Sequence, residues 1–441
     1  MSSRSLSTAL ALIWRWTKDA FVVKPLKDFL AEIPDPRSDR KKPHDHIDVL
    51  LMIIIGFLAG KSSLRRIVKW GRKNQKFLKK HLNLKNGIPS VSTFSRIAST
   101  VDVDLLTLTF MNWIGNILDT RGIHIIIDGK ALRGATDKLA DKRAPYILNA
   151  IDAATKLVIG QLSIPEKTGE ATAIPKLLEL LDITGSTVTI DAIGTSETIM
   201  SLINSNSGYF VMQVKKNCPA TYDEITALFD QIDCEIETDR EKFERKYGDK
   251  YSEHSTSEVN RERHENRTMK SYTGDNSIRR IREELPYVRT VGLSLQVRIP
   301  KEVDEFGNDV TPSKDAFIKN GSRKCPRPVE GDGFADCIQK VGMISNKSIG
   351  AKELADYKRA HWRIENCLHH VLDEDFGEDK CVARQSKDTL AVLRKISYNI
   401  ARLMQLADPD SRPQIIDIID EVGSDLTCAA RFIFEPIPSM Y

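Results

Sequence analysis

The chain lacks two of the simplest frames a sequence can offer: a paired cysteine set and an apolar run long enough to cross a bilayer. Its seven cysteines, at 218, 234, 325, 337, 367, 381 and 428, are odd in number and scattered, with no C-x-x-C pair. That spacing argues against a disulfide framework or zinc ribbon and for reduced thiols in the cytoplasm. The apolar run Val49 to Ala59 is about half the length a membrane span needs, so it reads as a core helix and no membrane partner is expected. Nearer the start, Ala9-Leu-Ala-Leu-Ile-Trp14 is too short for a signal peptide and runs into Lys18 and Asp19 instead of a small-residue cleavage site. Acidic residues are missing altogether between Lys61 and Lys85, where ten Lys or Arg stand with Trp70 and Phe77 among them. The whole chain carries only +4 at pI ≈ 8.5, too mild a balance to imply nucleic acid, so only the local distribution of charge can point to it.

What is present divides by periodicity. From Asp35 to about Leu118 the pattern is helical. The one-sign block fits a surface facing phosphates, because each neutralised phosphate releases counterions. Asn86-Gly-Ile-Pro-Ser90 breaks it, and Ser92 is the expected cap of a short helix carrying Arg96. This is either a helix-turn-helix reader or a solvated face of an all-α scaffold. From Ile123 the period becomes strand-like. Ile125-Ile-Ile-Asp128-Gly129 reads as a strand buried on both faces and ending on an acid. Asp128 is then either a turn cap or a rigidly held metal-ligand or acid/base carboxylate. Tyr146 to Ile151 and Leu157 to Ile164 form a hairpin in which Asp152 has an ordinary turn role. Glu170 to Leu181 is a crossover helix, and Thr187-Val-Thr-Ile-Asp191 repeats the pattern of apolar run and terminal acid. Two carboxylates brought to one sheet edge repel, which calls for a shared proton or a hard cation such as Mg²⁺ or Mn²⁺.

Gly208 to Val214 is a further strand, followed by Lys215. Between Glu237 and Glu284, 24 of 48 residues are charged, so no core is expected there. Within it Arg263, Glu265 and Arg267 share a face if the segment is a strand. Leu285 to Ile299 looks like sheet and Lys301 to Asp336 like loop. The span is either exposed decoration or a β module gripping a nucleic-acid backbone. Helical period returns at Ala351. A projection at 100° per residue places Glu365 in the apolar stripe beside His361, so a buried glutamate with a strong partner is expected: either a salt bridge or a third ligand. Cys367, His369, His370 and Cys381 offer a zinc set, but His369 and His370 point about 100° apart on a helix, which disfavours it.

Taken together, Ile33-Pro-Asp-Pro-Arg37, Gly87-Ile-Pro-Ser-Val-Ser-Thr-Phe94, Ile127-Asp-Gly-Lys-Ala-Leu-Arg133, Val188-Thr-Ile-Asp-Ala192 and His361-Trp-Arg-Ile-Glu-Asn366 resemble the DDE transposases of bacterial insertion sequences, specifically the H-repeat-associated group. His369, Leu372, Asp373, Phe376, Glu378-Asp379, Leu390-Ala-Val-Leu-Arg394 and Asn399 extend the likeness, which covers about residues 29 to 404. It departs from the wider clan in having Lys358, His361 and Leu372 where Tyr, Arg and Lys are frequent, and Val341-Gly-Met-Ile-Ser345 where paired tyrosines are usual.

The resemblance implies an α/β fold: an RNase H-like mixed sheet with flanking helices, a β-rich insertion before the glutamate helix, and an all-α N-terminal domain. The expected division is a leader at 1–28, a helical DNA-binding domain at 29–120, the catalytic domain at 121–216 and 341–405, the insertion at 217–340, and a tail at 406–441. It implies Asp128, Asp191 and Glu365 as the catalytic and metal-binding triad, with Mg²⁺ as cofactor and Mn²⁺ as a substitute. Lys130, Arg133, Lys215, Arg263, Arg267, Arg359, His361, Trp362 and Arg96 are the expected DNA contacts. The expected activity is metal-dependent cleavage at element ends and strand transfer into double-stranded DNA, by a homodimer in the nucleoid. An immobile nuclease of the same fold and a non-catalytic DNA-binding regulator are the alternatives.

Overall fold

The computed structural model describes residues 22–440 except 38–41, 133–145, 165–168, 216–217, 260–262, 275–277, 303, 305, 307–308, 310, 312–337, 382, 384 and 412. Arg133 and most of the expected 301–336 loop therefore lie outside the described residues. The chain divides into two compact units, Met1–Ser186 with Arg363–Tyr441, and Thr187–Trp362. Its described strands are β1 (Val22–Val23), β2 (His124–Ala131), β3 (Tyr146–Asp152), β4 (Val158–Ile164), β5 (Thr187–Ile190), β6 (Tyr209–Val214), β7 (Tyr251–Val259), β8 (Arg263–Tyr272), β9 (Thr290–Pro300), β10 (Ile338–Ser345) and β11 (Ile437–Pro438).

In the first unit the expected core helix is His46–Leu58, every residue of which is buried, with Asp45 accepting from the Ile47 amide at its start. It packs along the 21-residue helix Lys387–Ala407, close enough for the Ser397 hydroxyl to donate to the Ile54 carbonyl at 3.1 Å. Leu64–Lys73 buries Ile67, Val68 and Trp70 and leaves Arg65, Arg66, Lys69, Arg72 and Lys73 exposed, so Trp70 serves the core and the cations face out. Val91–Thr100 is capped by Ser90, whose Oγ accepts from the Thr93 amide at 3.2 Å. The expected cap, Ser92, is already inside that helix: Ser90 is the residue in extended conformation after Pro89, and so the one placed to cap.

β2, β3 and β4 form an antiparallel meander. Its hairpin is closed by Asp152, which accepts from Thr155 N and Oγ1 at 2.8 and 2.6 Å, the turn role expected of it. The helix Glu170–Glu179 follows. β2 does not stop at Asp128: pairing with β3 continues to Ala131↔Tyr146. Gly129 is not a turn glycine, because the Tyr146 ring occupies the space a side chain there would need. The C-terminal residues form helices Ile415–Ser424 and Thr427–Phe434, and β11 pairs with β1.

In the second unit β5 and β6 are parallel, joined through helix Glu197–Ser205, and the order continues β6-β10-β9-β8-β7 with antiparallel neighbours. That is a mixed sheet, as expected. The insertion opens with helices, Pro219–Thr238 and Arg240–Lys246, before β7. The charge-rich span is less exposed than its composition suggests. Phe243, Tyr247, Met269, Tyr272 and Ile281 are buried there, and so is Glu265. The few apolar residues of the span are the ones turned inward, Phe243 and Ile281 from short charged helices and Met269 and Tyr272 from β8, while most of the charged neighbours stay in water.

Candidate metal centre and its surroundings

Asp128 leaves the fully buried run Ile125–Ile127 with its side chain 20% exposed, opposite Asn149 on β3. Across it comes the segment after the helix Ala351–Ile364. That helix does not run on regularly. Glu365–His369 form one wide turn in which the His370 amide bonds the Glu365 carbonyl, five residues back. Such an inserted turn occurs often at functional sites. Tyr398 donates to the Cys367 carbonyl inside this turn at 2.7 Å. The wide turn defeats a regular projection: Glu365 is 60% exposed and not in the buried stripe, while His369, four residues on, is 5% exposed.

The first unit thus brings Asp128, Glu365 and His369 together, one ligand atom of each lying within 4.8 Å of the others. His369 Nδ1 is 3.3 Å from Glu365 Oε2 and 3.6 Å from Asp128 Oδ2. His369 Nε2 is buried without a hydrogen-bond partner among the described residues. Two carboxylates and an imidazole are a donor set that fits a divalent ion. As a zinc ligand beside His370, His369 is disfavoured from sequence alone; its i, i+4 relation to Glu365 is the signal that points to it. Asn149 and Gln161 were also missed. They stand in register beside Asp128 on β3 and β4, and both amides are buried without partners among the described residues.

Lys130, on the same face of β2 as Asp128, reaches into an ion network. It pairs with Asp373, donates to Glu378 Oε2 at 3.2 Å and donates to the His369 carbonyl at 3.4 Å. Lys395 Nζ meets the other Glu378 oxygen at 3.5 Å, with both side chains almost completely buried. Burial alone would raise Glu378, but the charges of Lys395, Lys130 and Arg394 outweigh it and hold the carboxyl at about 2. Burial also pushes the Asp373 carboxyl up and the Lys395 ammonium down. The network ties the segment carrying His369 to the strand carrying Asp128.

In the second unit Asp191 follows β5 and caps the short turn Ala192–Gly194, accepting from the Ala192 amide at 2.6 Å. Its side chain is half exposed and lies 3.8 Å from Lys215 Nζ. His361 is buried, with Nδ1 3.2 Å from Thr189 Oγ1, and Tyr357 meets Thr187 at 3.1 Å, so this part of the helix is seated on β5. Nearby cations cluster. Arg263 and Arg267 bond the buried Glu265, and Arg298 approaches it at 3.8 Å. Arg359 and Arg267 share Glu258. Lys358 donates to Ser294 at 2.6 Å, and burial, with Lys215, Arg267 and Arg298 adding repulsion, pushes it down to about 8. Trp362 is 52% exposed, and Arg96 is exposed on its helix in the first unit. No helix among the described residues is long and apolar enough to cross a membrane.

These elements coincide with known sequence families. The Transposase DDE domain family matches residues 119–400, and the DDE_Tnp_1-associated family matches residues 27–114. The chain belongs to the Transposase DDE domain family, and the mixed α/β class expected of it stands. It is 28% identical over 383 residues to "Putative transposase YncI" of Escherichia coli O157:H7, covering 86% of this chain and 88% of that one. It is likewise 28% identical over 387 residues to "H repeat-associated putative transposase YhhI" of E. coli K12, covering 86% and 90%. With "H repeat-associated putative transposase YbfD" of the same strain it shares 33% over 196 residues, 44% of this chain and 78% of that one. Among solved structures, the piggyBac transposase synaptic complex with hairpin DNA aligns over 97% of this chain and 81% of its own at TM-score 0.40 and 11% identity, a likeness too weak to argue from.

Proposed function

We propose that this chain cleaves DNA at the ends of a mobile element and joins the freed ends to target DNA, with Asp128, Asp191 and Glu365 as its catalytic carboxylates. The observation that carries the reading is the meeting of Asp128 and Glu365, 237 positions apart in sequence, at one donor cluster inside the segment matched to the DDE family. The carboxylates would hold divalent ions, Mg²⁺ with Mn²⁺ as a substitute, which supply Lewis acidity at the attacking and leaving oxygens.

The chain's own residues do the rest. Lys130 and Glu378 fix β2 against the Glu365 segment. Lys215, Arg263, Arg267 and Arg359, with Arg133, hold phosphates of the bound strand. Exposed Arg65, Arg66, Lys69 and Arg72 add sequence-independent affinity, and Arg96 and Trp362 face the duplex. Hydrolysis breaks a P–O bond at the element end and leaves a 3′-hydroxyl. That hydroxyl then attacks a target phosphodiester, so one bond forms as another breaks and no protein-linked intermediate is needed. Residues 29–120 serve as the helical DNA-binding domain, and the working form is a dimer of this chain on two ends, in the bacterial nucleoid.

The test supplies an end already nicked to expose its 3′-hydroxyl, together with a target duplex and Mg²⁺ or Mn²⁺. Joined product is expected. Cutting of intact ends without any joining of nicked ones would reduce the protein to a nuclease, and metal-indifferent binding with neither reaction would make it a regulator.

A further inference from the structure

We propose that His369 Nδ1 is a metal ligand alongside Asp128 and Glu365, and that this nitrogen raises the pocket's affinity for Mn²⁺ without raising it for Mg²⁺. The inference rests on the reading of Asp128 and Glu365 as metal-binding carboxylates and adds a residue that the three-acid pattern does not contain. Ligand atoms bonded at about 2.1 Å to one ion stand about 3.0 Å apart at octahedral angles and about 3.4 Å at tetrahedral ones. The observed separations of 3.3 and 3.6 Å from His369 Nδ1 are close to that spacing. They are long for a charge-assisted hydrogen bond, which closes to about 2.7–2.9 Å.

Three features make the ring available for this. The wide turn sets Glu365 and His369 on one side of the chain, with the His370 amide bonded to the Glu365 carbonyl. Burial fixes the ring at 5% exposure with Nδ1 turned toward both carboxylates, and coordination through Nδ1 places the ring proton on Nε2. Lys130 bonds the His369 carbonyl and so holds its backbone to the strand of Asp128. A nitrogen donor is accepted poorly by Mg²⁺, which prefers oxygen, and more readily by first-row transition ions.

The experiment uses the full chain without DNA and one equivalent of MnCl₂. Pulsed electron paramagnetic resonance should show ¹⁴N coupling to the manganese in the wild type and none in His369→Gln. Titration calorimetry should show Mn²⁺ affinity falling about tenfold or more in His369→Gln, with Mg²⁺ affinity nearly unchanged. Absence of nitrogen coupling in the wild type would overturn the proposal without relying on any variant. If Asp128→Asn then still abolished Mn²⁺ binding, the histidine alone would be removed and the acidic pocket would stand. Manganese binding indifferent to Asp128→Asn, Glu365→Gln and His369→Gln alike would overturn this inference and the assignment of the carboxylates together.

Discussion

In the first unit Lys130 and Lys395 meet Glu378 and Asp373 inside the fold, cation against carboxylate, whereas in the second Lys358 is buried on a serine hydroxyl with Lys215, Arg267 and Arg298 around it. The first arrangement spends its charges on one another. Breaking such a buried set by removing one member leaves an uncompensated ion, so it serves to lock β2 to the segment that bears His369. In the second arrangement Asp191, Glu258 and Glu265 each hold a cation at the part-exposed rim, while the buried Lys358 has a hydroxyl and like charges around it. A buried cation repelled by its neighbours destabilises a fold, and a DNA phosphate is the anion the proposed function would bring to it.

The sharpest way to break the contrast is Glu378→Gln. It leaves Lys130 and Lys395 without their shared counter-charge and should cost about 3–5 kcal/mol in a denaturant titration. The pH dependence follows from the lowered carboxyl: with a folded value of about 2 against an ordinary 4.5, the stabilisation is complete above about 4.5 and drains away as pH falls toward 2. Wild-type stability should slope downward through that window and the variant's slope should be shallower.

Lys358→Met probes the other side. Removing a repelled cation should leave the fold as stable or more so, while the salt dependence of DNA binding loses about one unit of slope. Because the ammonium is lowered to about 8 from 10.5, wild-type stability should rise as pH climbs from 8 toward 10.5 and DNA affinity should fall above 8; the variant should show neither. The smallest effect belongs to the exposed helix face. Lys69→Gln with Arg72→Gln should shift stability by no more than about 0.5 kcal/mol. Non-specific DNA affinity should drop, by less than two units of salt slope, and a larger stability loss would mean these side chains are structural.

Much of this was legible from residue order because the relevant signals are local. The buried Ile125–Ile127 run, the parallel pair holding Val188 and Phe210, and the core helix around Leu50 each announce themselves by period. The failures are places where a distant group decided a local matter. Gly129 reads as a turn until the Tyr146 ring is seen filling its missing side chain. Glu365 reads as buried until one wide turn rotates the helix beneath it. Lys130 reads as a phosphate ligand, but its partners Asp373 and Glu378 lie more than two hundred residues downstream. The expected tail at 406–441 does carry a local signal, for Ile415, Ile418, Ile419 and Val422 have plain helical spacing.

The central claim concerns carboxylates acting as one metal-dependent set, and Asp191 tests it most directly because its place at the end of β5 is shared with an ordinary turn-capping role. The measurement is cleavage of a duplex carrying the element's end, in Mg²⁺ or Mn²⁺, by wild type and Asp191→Asn, with end binding followed in parallel. Asn can still cap the turn, so the account predicts unchanged binding and no detectable cleavage by the variant. Cleavage by Asp191→Asn at the wild-type rate would contradict it.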